Sequence, residues 1–310
     1  MIKLKKIRLK NYCGYRDFEL DLTDEDGSIK TWTIFFGPNG VGKTNIIRAV
    51  DLLTSPITKF TQRKNFIPFR KLKYNKDYVN GAELLYDEVE DLLLEAVFDL
   101  DGKEKRVILE DNIKGQIFSG RQVDEKKGEI SGIRVNELTM KDQGVTYIDA
   151  DSRNLMHHFQ IIDAFEEPFC DFAKSVYGYN CYCPKNAEAW TDGIRYLMDF
   201  VIEKLDGTKV HYSRFSDGEK KIATLLSSLF KRAHKDSPTY ENNDILIIDN
   251  IELHIYFKRH MTLIEKIEKY FGDKQIIATT HSPIIIQNMN KKYLYDLEEL
   301  VAGGKQCLPA

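Results

Sequence analysis

Apolar residues near the N-terminus fall into three short runs, at positions 2–9, 18–22 and 31–36. Runs of this length between turn residues are typical of β-strands, and Asp26-Gly27 supplies turn chemistry between the last two. At positions 44–53 the apolar residues leave only a thin polar face, which predicts a buried helix. The N-terminal segment therefore predicts three strands followed by a helix.

A second strand signal lies near position 100. The apolar runs at 92–100 and 105–109 flank Asp101-Gly102, which is typical of a β-hairpin. A short strand is also predicted at 146–149.

The last third of the chain alternates helix and strand. A helix is predicted after Ser216, a buried strand at 245–248, a helix from about Glu252 to Tyr270, and a second buried strand at 275–280. Strands that alternate with helices favour a parallel sheet.

The middle of the chain has weaker patterns. Residues 54–80 are basic and aromatic with two prolines, which indicates an exposed excursion. Residues 120–145 are polar and contain glycines, so we expect a mobile loop there. Residues 154–205 are expected to be mostly helical, with an interruption near 177–184.

Composition excludes several classes of protein. With 310 residues, 42% hydrophobic and 30% charged, the chain is typical of a globular protein rather than a disordered or fibrous one. Its five cysteines show no paired metal-site spacing and are interpreted as reduced thiols. No apolar run approaches about 18 residues and no secretory signal is found, so we expect a cytoplasmic protein without a membrane partner. The net charge of −3 favours no partner class.

The strongest motif is Gly37-Pro38-Asn39-Gly40-Val41-Gly42-Lys43-Thr44, which fits the phosphate-binding pattern G-x-x-x-x-G-K-[ST]. It lies directly after a predicted strand and before a predicted helix, as the chemistry requires. The backbone and helix end would hold phosphates, Lys43 would reach the β- and γ-phosphates, and Thr44 would ligate Mg²⁺. The motif predicts ATP and Mg²⁺ as cofactors, and the residues assigned to the nucleotide are Gly37, Pro38, Asn39, Gly40, Val41, Gly42, Lys43, Thr44 and Asn45.

Three later motifs accompany the phosphate loop. The apolar run 245–248 ends in Asp249, which suits a Walker B carboxylate for Mg²⁺. FSDGEKK precedes it and ATTHSP follows it. Read in order, GPNGVGKTN, FSDGEKK, ILIIDNIELH and ATTHSP resemble the ABC-type ATPase heads of the SMC, RecF and OLD group. The resemblance covers about 1–55 and 205–290.

The resemblance implies an α/β fold, an ABC-type P-loop NTPase head with a mixed N-terminal β lobe, a parallel-sheet core and a helical signature subdomain. The expected single head spans 1–310, with a first lobe at 1–150, a helical insertion at 151–215 and a second lobe at 216–310. It also implies an ATP sandwich, in which two copies form a homodimer and each phosphate loop meets the partner's signature. The signature residues are Ser216, Asp217, Gly218 and Glu219. Considered locally, Ser216 and Glu219 also form a capping box, and the two interpretations are compatible.

Other site roles follow from the same resemblance. His281 corresponds to the switch histidine that touches the γ-phosphate. Gln143 is assigned to the Q-loop as a further ligand of the metal beside Thr44 and Asp249, with Gln62 as the alternative.

One position departs from the family. The residue after the Walker B aspartate is a catalytic glutamate in the group but Asn250 here. An amide has no basic form near neutral pH, and loss of a positioned base typically lowers a rate by about 10²–10⁴. We therefore expect ATP binding with slow hydrolysis, and Glu252 is the candidate substitute base.

The sequence shows no nuclease domain after His281 and no heptads for a coiled-coil arm. Such stand-alone heads resemble ATPases of bacterial anti-phage defence, so we expect a separately encoded effector such as a nuclease or toxin. The alternative is a RecF/SMC-like repair ATPase that binds DNA through the basic and aromatic residues at 59–78.

Overall fold

The structure is a computed structural model of the chain. It describes residues 2–54, 73–74, 79–80, 92–111, 119–123, 130–132, 145–148, 160–162, 166–182, 194–196, 201–204, 206–211, 214–215 and 244–302. The phosphate loop GPNGVGKTN and the later motifs ILIIDNIELH and ATTHSP fall within these ranges. The FSDGEKK segment from Ser216 onward, Gln62, Gln143 and most of the basic stretch at 59–78 lie outside them.

The strands, numbered along the chain, are β1 (Ile2–Tyr12), β2 (Tyr15–Asp21), β3 (Trp32–Phe36), β4 (Lys73–Tyr74), β5 (Val79–Asn80), β6 (Leu92–Leu100), β7 (Lys103–Asp111), β8 (Ser119–Val123), β9 (Ile130–Gly132), β10 (Val145–Ile148), β11 (Gln160–Ile162), β12 (Asn180–Tyr182), β13 (Ile194–Tyr196), β14 (Val201–Glu203), β15 (Lys209–His211), β16 (Ile245–Ile248), β17 (Gln275–Thr279) and β18 (Leu294–Asp296). The described helices are α1 (Lys43–Thr54), α2 (Glu166–Tyr177), α3 (His260–Phe271), α4 (Pro283–Asn288) and α5 (Leu297–Ala302).

A five-stranded parallel sheet forms the centre of the protein, with strand order β10-β16-β17-β3-β18. All four residues of β16 and all five of β17 are buried, as expected for strands covered on both faces. The sheet combines strands from both ends of the chain, since β3 pairs with β17 and β10 pairs with β16. The prediction of a parallel sheet is confirmed.

The two faces of this sheet belong to two different apolar cores. Side chains of β16 alternate between the faces: Ile245 and Ile247 join one core, and Leu246 and Ile248 join the other. The first core contains α1 and the strands β1, β2 and β6, and the second contains α2 and α3. Alternate side chains of this fully apolar strand thus face the antiparallel sheet on one side and the helices α2 and α3 on the other.

A six-stranded antiparallel sheet, in the order β2-β1-β6-β7-β8-β9, covers the first core. β1 lies between β2 and β6, but its pairing with β2 covers only the residues from Lys6 to Tyr12. Before Lys6, backbone groups of Ile2 and Leu4 bond instead to the side chains of Asp244, directly before β16, and Gln275, in β17. Gln275 donates to the carbonyl of Leu4 at 2.8 Å and accepts from its N–H at 2.7 Å, and Asp244 accepts from the N–H of Ile2 at 2.6 Å. These buried bonds join the two sheets.

The sequence predicted most of the elements that build this framework. The N-terminal strands, the helix at 44–53, the hairpin at 101–102, the strand at 146–149 and the two buried strands near the C-terminus are confirmed within one to three residues at nearly every boundary. No described helix is long and apolar enough to cross a membrane.

The predictions for the middle of the chain were wrong in two places. Where a loop was expected at 120–145, β8 and β9 extend the antiparallel sheet through backbone pairing. Within 154–205, predicted as mostly helical, the described residues form one helix, α2, and the short strands β11 to β14. Strands of three residues are too short to show a period of two, so the sequence pattern could not reveal them.

The helix predicted from Glu252 to Tyr270 begins later, at His260. Residues 251–255 form turns, and Phe257–Arg259 is a single 3₁₀ turn. His254 has a φ of +66°, a left-handed conformation that interrupts a right-handed helix. The apolar spacing continues through this segment, but Ile251 and Glu252 bond to the segment at the end of β17 instead of forming a helix.

Replacement of Gln275 by alanine tests the link between the sheets. Gln275→Ala leaves the N–H and carbonyl of Leu4 without these partners in a buried position, at a cost of about 1–3 kcal/mol for each group. We expect the free energy of unfolding to fall by about 2–6 kcal/mol, measured by urea denaturation followed by circular dichroism. Gln287→Ala, on the exposed surface of α4, is the matched control. Equal stability of the two variants would contradict the proposed link.

Candidate nucleotide site

The phosphate loop joins the end of β3 to the start of α1. Three of its glycines have φ values that residues with a side chain rarely adopt: +137° at Gly37, +82° at Gly40 and +105° at Gly42. The carbonyl of Gly42 accepts the N–H groups of Asn45 at 2.9 Å and Ile46 at 3.1 Å, which forms the first turn of α1. The glycines of the motif therefore serve a backbone path that other residues could not follow without strain.

A tyrosine from the antiparallel sheet supports this loop. Tyr15 is buried, and its hydroxyl donates to the carbonyl of Gly42 at 2.9 Å. A Cβ atom at Gly42 would lie 2.6 Å from the Tyr15 hydroxyl oxygen, so the close contact itself requires glycine. Burial raises the pKa of Tyr15 above its usual value, so the hydroxyl keeps the proton that it donates.

The side chain of Lys43 folds back over the phosphate loop and is buried. Its ammonium group donates to the carbonyls of Gly37 at 2.9 Å and Pro38 at 2.8 Å, and the residue is 6% exposed. Burial lowers the pKa of Lys43, and the charges of Asp249 and Glu252 act in the opposite direction. A phosphate group beside this ammonium would add a charged acceptor to two neutral ones.

Thr44 and Asp249 form a residue pair that could hold a metal ion. The hydroxyl of Thr44 donates to Asp249 Oδ2 at 2.9 Å, and the hydroxyl of Thr279 donates to Asp249 Oδ1. A hydroxyl and a carboxylate are hard oxygen ligands of the kind that Mg²⁺ prefers, and Mg²⁺ usually takes its remaining ligands from phosphates and water. The donor set at this point therefore fits Mg²⁺ bound together with a nucleotide.

The segment after Asp249 lies against the end of β17. Asn250 has a φ of +50°, a conformation that asparagine tolerates better than most residues, and its N–H donates to the Thr279 hydroxyl at 2.7 Å. Glu252 accepts a hydrogen bond from the hydroxyl of Thr280 and another from the N–H of His281, both at 2.7 Å. The side chain of His281 is exposed.

The structure brings together the predicted residues that it describes. The phosphate loop, Asp249, Asn250, Glu252 and His281 all lie at the carboxyl ends of β3, β16 and β17, where ligands bind in open α/β sheets. Pro38, Asn39 and Val41 lie within the loop, and Asn45 in the first turn of α1. Ser216, Asp217, Gly218, Glu219 and Gln143 lie outside the described residues, and their roles stay predictions.

Sequence reasoning missed several residues that shape the site. Tyr15 gave no local signal, because its partner lies 27 residues further along the chain. Thr279 and Thr280 did leave a signal, because two adjacent hydroxyl residues directly follow an apolar run. Both are 0% exposed and bonded to site carboxylates.

The fold and this site define a P-loop nucleotide-binding protein, and the comparisons agree. An "AAA ATPase domain" model matches residues 2–164, more than half of the chain. A second model, described as "AAA domain, putative AbiEii toxin, Type IV TA system", matches residues 197–287. The chain belongs to the AAA ATPase domain family, and membership implies nucleotide binding, usually with Mg²⁺.

The chain resembles parts of two longer curated relatives. The "Retron Vc95 probable ATPase" of Vibrio cholerae serotype O1 biovar El Tor is 30% identical over 107 residues, which cover 33% of this chain and 21% of the relative. The "Septu protein PtuA" of Bacillus mycoides (strain KBAB4) is 21% identical over 326 positions, which cover 99% of this chain and 42% of the relative. The chain thus spans less than half the length of these relatives.

Solved structures share the fold. The "SMC head domain from Thermotoga maritima" aligns with a TM-score of 0.55 and 18% identity, over 95% of this chain and 94% of that one. The fold is that of an SMC-like ATPase head, a mixed α/β P-loop NTPase, as the sequence predicted.

Proposed function

We propose that this protein is an ATP-gated, dimerising ABC-type ATPase that hydrolyses ATP slowly and controls a separately encoded effector in bacterial or phage-related defence. The observation that carries the proposal is the Thr44–Asp249 pair beside the buried Lys43. It joins the two halves of a phosphate and metal site from opposite ends of the chain. We assign a distinct task to each group of site residues.

ATP binding requires that its phosphates meet positive charge and backbone N–H groups. Lys43 supplies the charge within a loop whose glycines allow a close approach, and the start of α1 adds the positive end of a helix dipole. Mg²⁺, when bound, neutralises charge on the β- and γ-phosphates. Thr44 and Asp249 are the residues that would hold it.

Dimerisation is inferred from the resemblance to ATPase heads that form an ATP sandwich. In such a dimer the signature at Ser216 and Gly218 of one copy completes the nucleotide site of the other. The exposure of His281 supports a site that is open at the edge where a second copy would bind. The SMC-head fold of the chain is consistent with this arrangement.

Slow hydrolysis follows from Asn250. Its amide can orient a water molecule but cannot accept a proton from it near neutral pH. The left-handed backbone at this position favours asparagine over glutamate, so the local conformation agrees with the substitution. The bound nucleotide would therefore persist, and its presence rather than its turnover would be the signal.

Control of an effector in defence is supported by the relatives. Their names place them in retron and Septu systems, and one matching domain model carries the name of a toxin of a toxin–antitoxin system. A nuclease or toxin is the effector class that we propose, because an ATPase that changes association with ATP can hold or release a bound partner.

Light scattering tests the ATP-gated association. We expect the purified protein to double its mass from 36.0 kDa when Mg²⁺-ATP is added, because each nucleotide would bridge two copies. Lys43→Ala should remain a monomer because it loses the charge that holds the phosphates. Ser216→Arg should bind ATP but not associate. Wild-type protein that is saturated with ATP and remains monomeric would contradict the proposal.

Replacement of Asn250 tests the cause of slow hydrolysis. Asn250→Glu restores a group that can act as a base, and we expect the rate of ATP hydrolysis to rise by about 10²-fold, the lower end of the range for a positioned base. Asn250→Gln is the matched control, since it has the same length but no basic form. Wild-type turnover of about 1 s⁻¹ or faster would show that Asn250 does not limit the reaction.

Phage challenge tests the role in defence. Cells that carry the gene with its native flanking genes should resist some phages, and plating should return to the level of cells without the genes when Lys43 is changed to alanine. Deletion of the effector gene should have the same effect. Resistance that survives Lys43→Ala would be incompatible with ATP-controlled defence.

A further inference from the structure

We propose that Glu252 is a positioning residue that fixes the backbone of His281, and that it is not a substitute for the base missing at Asn250. The inference rests on the proposed nucleotide site, because it assigns a task within that site. Its support is the set of hydrogen bonds that connect the loop at 250–255, after β16, to the segment at 279–282, at the end of β17.

Both oxygens of the Glu252 carboxylate point to neighbouring residues of that segment. Oε2 accepts from the Thr280 hydroxyl at 2.7 Å, and Oε1 accepts from the N–H of His281 at 2.7 Å. Bonds of this kind to a carboxylate are about twice as strong as those between neutral groups. Two of them on adjacent residues fix both the plane of the carboxylate and the backbone direction at His281.

The Thr280 hydroxyl extends this connection. It is fully buried, donates to Glu252 and accepts from the N–H of Ser282 at 3.0 Å. Glu252 therefore acts on the residues before and after His281 as well as on His281 itself. Such a use of the carboxylate leaves it directed at the protein, whereas a base must direct an oxygen at the attacking water.

A buried histidine makes a second connection between the same two segments. His260 Nε2 lies 3.0 Å from the carbonyl of Ile255, and Nδ1 lies 2.7 Å from the Ser282 hydroxyl. A carbonyl only accepts, so Nε2 carries the proton that is donated to Ile255. His260 thus holds the far end of the loop, while Glu252 holds its middle.

The backbone completes the attachment. The N–H of Ile251 donates to the carbonyl of Thr279 at 3.0 Å, and the N–H of Asn250 donates to the hydroxyl of Thr279 at 2.7 Å. The loop is therefore bonded to the strand end at Asn250, Ile251 and Glu252, and to Ser282 through His260 at Ile255. A contact of His281 with a phosphate would be transmitted to this loop, because the two segments are held as one unit.

Three variants test the positioning role without nucleotide. Glu252→Ala removes both acceptors, and we expect amide hydrogen exchange in the peptide 279–285 to become about tenfold faster or more. Glu252→Gln can still accept from His281 and can donate to the Thr280 hydroxyl, so it should restore slow exchange. Glu265→Ala, on the exposed face of α3, is the matched control. Unchanged exchange in Glu252→Ala would overturn the proposal.

Single-turnover hydrolysis separates positioning from base catalysis. A positioning role predicts that Glu252→Gln hydrolyses ATP within about threefold of wild type, while Glu252→Ala is slower. A base role predicts that Glu252→Gln is as slow as Glu252→Ala, and that result would overturn the proposal. If wild-type protein fails to bind ATP, the proposed function fails, and the exchange experiment alone decides the role of Glu252. Should Glu252→Ala not fold, Glu252→Met fills the same space without an acceptor, and it should also speed exchange at the amide of His281.

Discussion

The hydrogen bonds of Asp249 to Thr44 and Thr279 are the interaction on which the site depends. They connect the start of α1 with the ends of β16 and β17, three elements that come from distant parts of the chain. Because the strands are parallel, their carboxyl ends lie at one edge, and the side chains that follow them meet there. Without this edge the phosphate loop would have no carboxylate beside it.

The antiparallel sheet is a structural part of the same site. Tyr15 from β2 contacts the phosphate loop at Gly42, and Gln275 at the start of β17 pairs with the backbone of β1. Each contact gives a buried polar side chain, the Tyr15 hydroxyl or the Gln275 amide, a hydrogen-bond partner. The geometry of the nucleotide loop thus rests on both sheets, although only one of them carries the motif.

The proposed function depends on a site that has groups suited to bind ATP but lacks a glutamate at the position expected for the catalytic base. Thr44 of the phosphate loop is bonded to Asp249, whereas the position that we assign to the catalytic base holds Asn250, and Glu252 is directed at the backbone of His281. The proposed function therefore assigns the signal to the bound nucleotide rather than to its turnover.

Local sequence determined the phosphate loop, the buried strands and the departure at Asn250, because glycine conformations, apolar runs and residue chemistry are properties of short segments. It failed for β8, β9 and the three-residue strands, whose pairing depends on backbone partners and leaves no apolar pattern. The tasks of Tyr15, His260 and Glu252 were decided only by the tertiary structure. Each depends on hydrogen bonds to residues 22 to 29 positions away, and only folding brings such groups within 3 Å of one another.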